Sequence, residues 1–185
     1  LRRHRETAKY LAAALFFYGG VETVIKFSAI YASVTFGIQG MELLILFIVA
    51  NLFAAPGTMF FGYVADWAGG RRALVLLMAI WIGLLVLGAA AASKQLFWLM
   101  SVGVAIGVGG TQAVGRAYMS QLSPPSRKSE FFGFYLLCNK AGSIISVLMF
   151  GIVSGVTGSQ RAAVLAVLPF FGLALLLLLG LDERR

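Results

Sequence analysis

The stretch that decides the fold is Leu11 to Phe36, which reads LAAALFFYGGVETVIKFSAIYASVTF. It can cross a bilayer, because a spanning helix needs about 20 mostly apolar residues. Within it lie Glu22 and Lys26, a carboxylate and an ammonium one helical turn apart. A charge near the middle of a membrane helix costs roughly 2.5 to 3.5 kcal/mol, so we expect the pair to serve function. The alternative is a self-neutralising pair that only fixes helix packing.

The composition excludes a soluble domain. Hydrophobic residues make up 60% of the chain and charged residues 12%, whereas about 25% charged residues is usual in soluble domains. The apolar stretches are continuous and do not alternate with polar residues as in a β-barrel. We therefore predict an all-α integral membrane protein. Its six transmembrane helices are predicted at Leu11 to Phe36, Leu43 to Val64, Ala73 to Ala92, Leu96 to Met119, Phe131 to Val153 and Ala162 to Leu181.

The connections between the predicted spans are short, so neighbouring helices are expected to pack antiparallel in one bundle. We predict a cytoplasmic linker remnant over residues 1–10, a six-helix bundle over 11–181 and a cytoplasmic tail over 182–185. Pro56 lies inside the second span and predicts a kink there.

The net charge of +8 arises from 15 basic and 7 acidic residues, and the distribution of the basic residues fits a membrane protein. Only Lys94 and Arg161 fall on one side of the six-helix topology. Lys26, Arg116 and Lys140 lie within predicted spans, and on the other side lie Arg2, Arg3, Arg5, Lys9, Arg71, Arg72, Arg127, Lys128, Arg184 and Arg185. By the positive-inside rule, both termini are cytoplasmic. We expect contact with the lipid bilayer, no nucleic-acid partner, and a place in a bacterial inner membrane.

The chain has a single histidine, His4, and a single cysteine, Cys138. They supply neither a histidine-based metal site nor a catalytic triad, and one cysteine cannot form an intrachain disulfide. We therefore expect no enzyme activity, no metal and no cofactor.

The segment GYVADWAGGRR, residues 62–72, resembles the signature loop of the major facilitator superfamily. Its glycines permit a tight turn, and Asp66 can pair with a basic group or face a helix N-terminus. Trp67 departs from the family pattern, in which a basic residue often follows the aspartate. The alternative is a generic basic turn. The candidate residues of this conformational motif are Gly62, Asp66, Gly69, Arg71 and Arg72.

A narrower resemblance is carried by YGGVETVI at 18–25, GTQAVGR at 110–116 and PPSRKSEFFGFY at 124–135. Together these resemble the C-terminal half of the vacuolar-effluxer-like family of major facilitators, whose yeast members are implicated in exporting amino acids from the vacuole. The resemblance implies a transporter of twelve helices, of which these are seven to twelve. Gly19-Gly20 replace an expected Asn-Asp, and Ser146-Val147 replace an expected Gly-Pro, which predicts a straighter fifth helix.

An internal repeat is indicated by laying residues 19–26, GGVETVIK, on residues 109–116, GGTQAVGR. This pairs the first helix with the fourth, which runs in the opposite direction. The fold class we predict is therefore half of a major facilitator fold, built as an inverted 3+3 helix repeat.

Helical angles predict two polar stripes that face a central cavity. At about 100° per residue, one stripe lies on the first helix and one on the fifth, and polar stripes in a membrane face protein or water. The alternatives are interhelical hydrogen bonding for the stripes and, for Arg116, snorkelling or pairing with Asp66 or Glu130. The stripes comprise Tyr18, Glu22, Lys26, Ala29 and Ser33, and Tyr135, Asn139, Gly142, Ser143 and Ser146 with Lys140 at the margin. Thr111, Gln112 and Arg116 are expected to contribute from the fourth helix.

These observations predict one bundle of a secondary transporter that moves a small polar solute, an amino acid or another carboxylate-bearing solute, by alternating access. The second bundle is an N-terminal half or a second copy of the chain. Glu22 could instead carry a coupled proton, because burial raises a carboxyl pKa. A non-transporting membrane scaffold and a self-associating half that acts as a homodimer are the alternatives. The predicted solute- or ion-binding residues are Glu22, Lys26, Tyr18, Asn139, Lys140, Ser143, Gln112 and Arg116.

Overall fold

The computed structural model describes residues 2–181, with side chains from Arg5 onward. Six helical segments of this part are long and apolar enough to cross a membrane, which confirms the predicted number of spans. A short 3-10 turn, Pro125–Arg127, precedes α5. The predicted tail at 182–185 lies outside the described residues. The helices are α1 Arg2–Phe36, α2 Met41–Ala68, α3 Gly70–Ala90, α4 Lys94–Leu122, α5 Lys128–Thr157, α6 Gln160–Leu165 and α7 Leu168–Leu179.

The first helix extends beyond the predicted span. It begins at Arg2, so the segment that we predicted as a linker forms its first turns. Thr7 and Tyr10 are buried. The Tyr10 hydroxyl donates to the Gly115 carbonyl at 2.7 Å, and the Thr7 hydroxyl donates to the Leu122 carbonyl at 3.5 Å. These bonds attach the N-terminal end of α1 to α4.

The sixth span is broken, contrary to the continuous helix predicted from hydropathy. It consists of α6 and α7, joined at Ala166 and Val167. Pro169 explains the break, because its ring clashes with the Leu165 carbonyl and it has no N–H to donate to that carbonyl. The backbone tightens instead, with the Val167 N–H donating to the Val164 carbonyl at 3.1 Å.

The connection between α2 and α3 is also shorter than predicted. Helix α2 continues to Ala68 and α3 begins at Gly70, so most of the proposed signature loop is helical. Gly69 alone makes the turn, with φ +95° and ψ 144°. This backbone conformation is strained for any residue with a side chain, which explains the glycine.

The main helix pairs are not consecutive along the chain. α1 packs most extensively on α5, and α2 on α4, whereas α1 barely contacts α2, and α4 barely contacts α5. Our expectation of antiparallel packing between neighbours is therefore wrong for those two connections. Because spans alternate in direction, α1 runs parallel to α5, and α2 runs parallel to α4. Helices α3 and α7 pack on each other, with Trp81 stacked on Phe171 at 5.1 Å between ring centroids.

The two parallel pairs agree with the inverted repeat. An operation that maps α1 to α4 and α2 to α5 exchanges the pair α1–α5 with the pair α4–α2. Each pair crosses closely at a glycine that the repeat aligns. A Cβ on Gly19 would lie 2.6 Å from the carbonyl oxygen of Gly142 in α5, and a Cβ on Gly109 would overlap the Ala54 carbonyl oxygen in α2.

The two basic residues at the end opposite the basic loops are both engaged. Lys94 pairs with Glu42 at 2.7 Å, and the Trp98 indole N–H donates to the same carboxylate at 3.4 Å. Arg161 donates to the Ala91 carbonyl at 2.9 Å, which joins α6 to the end of α3.

Candidate functional site

The two predicted polar stripes meet at the seam between α1 and α5. The Thr23 hydroxyl donates to the Ser146 hydroxyl at 2.8 Å. The Lys26 ammonium donates to the Ser143 hydroxyl at 2.9 Å. The close approach of Gly19 and Gly142 brings the helices near enough for these short side chains to reach one another. The hydroxyl groups of the seam therefore bond helix to helix, which is the alternative that we considered for the stripes.

The charged pair lies at the open edge of this seam. Lys26 Nζ is 3.5 Å from Glu22 Oε2, and the two side chains are 50% and 32% exposed. Ser143 is only 3% exposed. The ammonium is thus fixed from one side by a buried hydroxyl, while both charged groups remain accessible from the other side.

One helical turn before Glu22 on α1, a group of tyrosines joins α1, α4 and α5. The Tyr135 hydroxyl donates to the Tyr18 hydroxyl at 2.5 Å, and the Tyr18 hydroxyl donates to the Thr111 carbonyl at 3.4 Å. Gly115 lies directly beneath both hydroxyls, where a Cβ would be 2.6 Å from the Tyr18 oxygen. Tyr18, which we predicted to bind solute, is buried and bonded to protein.

Thr111 was predicted to contribute to the central cavity, but it is fully buried. Its hydroxyl accepts a hydrogen bond from the Trp81 indole N–H at 3.0 Å and donates to the Gly107 carbonyl at 2.7 Å. Trp81 was not among the residues predicted from the sequence to contribute to this network. Its indole N–H within an apolar span was the available signal, because a buried indole N–H usually finds a hydrogen-bond partner.

Gln112 and Arg116 lie on α4 next to the tyrosines. Arg116 is exposed, donates weakly to Gln112 Oε1 at 3.5 Å, and lies near the Tyr18 and Tyr135 hydroxyls. Within residues 5–181, Arg116 forms no ion pair with Asp66 or Glu130, and Glu130 pairs with Arg127 instead. The pairing that we considered as an alternative for Arg116 is therefore wrong.

Asn139 and Lys140 follow one another on α5. The Asn139 Oδ1 atom is buried and has no hydrogen-bond partner in the described part of the chain. Lys140 is exposed. Across residues 5–181 it has neither a hydrogen bond nor an ion pair. These two residues present unused polar groups.

A cavity of about 330 Å³, lined mainly by residues of α1, α2, α3 and α4, was not predicted from the sequence. At about 100° per residue, Tyr31, which lines it, points opposite to Glu22. Its walls are mostly apolar, and the Tyr31 and Ser101 hydroxyls donate to the carbonyls of Gly88 and Phe97. Of the predicted solute-binding residues, Gln112 alone lines this cavity.

The residues of the signature motif have separate roles in the structure. Arg71 donates from Nε to the Leu178 carbonyl at 2.9 Å and from a terminal nitrogen to the Leu179 carbonyl at 2.7 Å. It thereby caps the C-terminus of α7. Asp66 and Arg72 are exposed, and Gly62 lies within α2.

Comparisons with known proteins cover the whole chain. A family model described as "Vacuole effluxer Atg22 like" matches residues 1–185. The chain is 31% identical to the Bacillus subtilis "Uncharacterized MFS-type transporter YxiO" over 184 residues, 100% of this chain and 43% of that protein. It is 26% identical to Autophagy-related protein 22-1 of Aspergillus niger over 201 residues, 100% of this chain and 33% of that protein. The chain thus spans less than half the length of these relatives.

Proposed function

We propose, since this chain belongs to the Atg22-like vacuole effluxer family, that it forms one of two six-helix bundles of a secondary transporter. The rest of a longer polypeptide would supply the second bundle, in keeping with relatives that are more than twice as long as this chain. The transporter moves a small polar solute by alternating access, with the solute between the bundles.

The observation that carries this proposal is the accessible Glu22–Lys26 pair within a membrane span. A pair that served packing alone would be expected to lie inside the seam, as Thr23 and Ser146 do. Here one hydroxyl fixes the ammonium while half of the Lys26 side chain stays exposed. Charged groups at this depth face a water-filled cavity or a protein partner, because lipid cannot solvate them.

The chemistry of the pair favours an amino acid as the solute. Lys26 offers an ammonium to a carboxylate, and Glu22 offers a carboxylate to an ammonium, so a zwitterion can satisfy both groups at once. Arg116 and Gln112 provide further donors on the same bundle. Glu22 could instead bind a coupled proton when Lys26 turns to the solute.

The basic loops support a cytoplasmic location for both termini. The membrane that we propose is a bacterial inner membrane, in keeping with the Bacillus subtilis relative. The two basic residues at the opposite end fit this orientation, because Lys94 is paired with Glu42 and Arg161 is bonded to a carbonyl. Export toward the outside is the direction we propose for the solute.

The test uses the full-length protein in proteoliposomes, with counterflow of a panel of radiolabelled amino acids as the readout. Glu22→Gln and Lys26→Gln should each reduce uptake at least tenfold while the melting temperature changes little. Glu130→Gln is the matched control, because Glu130 is an exposed surface partner of Arg127, and it should transport like the wild type. Wild-type uptake by both Glu22→Gln and Lys26→Gln would contradict a solute-binding role for this pair.

A non-transporting membrane scaffold is the second candidate. It is favoured by one observation, namely that Ser143, Ser146, Tyr18 and Tyr135 all bond across helix interfaces. A scaffold should show no counterflow for any solute in the panel and no solute-dependent rise in melting temperature.

A further inference from the structure

Lys140 is the starting point, because its charge is uncompensated in this bundle. It lies near the middle of α5, which runs from Lys128 to Thr157 and crosses the membrane. Its side chain is exposed, and within residues 5–181 it has neither an ion pair nor a hydrogen bond. A lone ammonium at this depth is costly in lipid, so it needs a partner or water.

Lys26 provides a direct contrast within the same face. Its ammonium has Glu22 at 3.5 Å and the Ser143 hydroxyl at 2.9 Å. Ser143 is three residues from Lys140 along α5, so the two lie on neighbouring positions of the helix surface. Glu22 is therefore already paired with Lys26, and Lys140 remains without a counter-ion on α5.

The surface around Lys140 is apolar and uncovered. Leu136 and Leu137 are 57% and 67% exposed one turn before it, and Ile144 is 62% exposed one turn after it. Of the six spans, those of α2 and α5 bury the smallest share of their most apolar windows, 11% and 22%. Such a surface fits a helix partner, provided that the partner also neutralises the single charge.

We propose that Lys140 forms an ion pair with a carboxylate on a helix of the second bundle, and that this face of α5 is where that helix docks. The proposal rests on the two-bundle architecture of the proposed function. Two observations identify the second bundle as the partner of this face. Lys140 needs a negative charge, and the chain covers only 43% of the Bacillus subtilis relative and 33% of the Aspergillus niger relative. Lys140 then joins the bundles, while Lys26 serves the solute.

The test is a double-mutant cycle on the melting temperature of the full-length protein, which requires no solute and no transport. Lys140→Gln should lower the melting temperature by about 2 °C or more, because it leaves a carboxylate unpaired between the bundles. Each aspartate or glutamate within the spans of the second bundle is then neutralised in both backgrounds. The true partner should cause no further loss in Lys140→Gln, whereas unrelated acids should add independently.

Charge reversal gives the second measurement. Lys140→Glu combined with a lysine at the partner position should recover a melting temperature within about 1 °C of the wild type. Lys128→Gln, which removes a cation at the basic end of α5, is the matched control and should leave the melting temperature unchanged. If Lys140→Gln is not recovered as folded protein, the reversed double variants decide, and recovery by one of them supports the pair.

Two results would overturn the proposal. One is a wild-type melting temperature for Lys140→Gln. If the amino acids of the panel then also fail to raise that melting temperature, Lys140 binds the solute. The other result is the absence of any coupled or rescuing acid in the second bundle. If the transport test fails to support solute binding by Glu22 and Lys26 but the double-mutant cycle still shows coupling at Lys140, only the solute role is refuted. The ion pair of Lys140 is then still supported.

Discussion

Gly19 of α1 and Gly142 of α5 touch backbone to backbone. A Cβ on Gly19 would lie 2.6 Å from the Gly142 carbonyl oxygen, and a Cβ on Gly142 would overlap the Leu15 carbonyl oxygen. The contact sets the separation of the two helices and hence the reach of the Thr23–Ser146 and Lys26–Ser143 bonds. Close approach through small residues is a general device of helix packing in membranes.

Gly142→Ala should therefore separate α1 from α5 and destabilise the protein by about 1 to 3 kcal/mol, the usual cost of overpacking. The melting temperature of the full-length protein measures the effect. Gly151→Ala is the control on the same helix, where a Cβ would meet nothing within 4 Å. It should be neutral or slightly stabilising, because alanine is the better helix former. Equal melting temperatures for the two variants would contradict the close contact.

Thr111→Val should destabilise the bundle by about 1 to 3 kcal/mol, because it leaves the buried Trp81 indole N–H without its acceptor. Trp81→Phe in the same protein removes the donor as well. The double variant should therefore lose less than the sum of the single variants, and thermal unfolding of all four proteins completes the cycle. Ser101→Ala is the control, since its hydroxyl bonds only within α4. Strict additivity would argue against the bond.

Arg71→Gln should loosen the end of α7, because the guanidinium donates to the last two carbonyls of that helix. Bonds from a charged group contribute about 1.5 to 3 kcal/mol. Hydrogen exchange of the amides in residues 176–181 should accelerate, while amides in α5 keep their protection. Arg127→Gln, at an exposed surface pair, should change neither region. Unchanged exchange at 176–181 would show that the cap is not needed.

The number and positions of the spans could be predicted from the sequence, because a bilayer imposes a minimum length of apolar residues. The break in the sixth span was missed because the span was predicted from hydropathy alone. Leu165 to Pro169 is apolar throughout, and a hydropathy pattern does not register the missing N–H of Pro169. The turn between α2 and α3 was likewise predicted over several residues of the signature motif, whereas in the structure Gly69 alone forms it.

The positions of the polar stripes followed from helical angles, whereas their partners did not. Angles place Lys26 and Ser143 on the polar sides of their helices but cannot say that these sides meet, and they leave Thr23 outside the predicted stripe. The two sides meet because α1 packs on α5. The short connection at residues 37–40 had wrongly suggested that α1 packs on α2. The apolar cavity was missed because its residues come from several helices and no single helix reveals it.

The pairing of Lys26 also has a consequence for biosynthesis. Ser143 follows Lys26 by 117 residues, so at roughly 5 to 20 residues per second the ribosome adds it about 6 to 23 s later. Glu22 is made before Lys26 and lies one turn away on the same helix. Throughout that interval Glu22 is the counter-ion within reach of Lys26, so α1 can enter the membrane as an electrically balanced segment before α5 has been made.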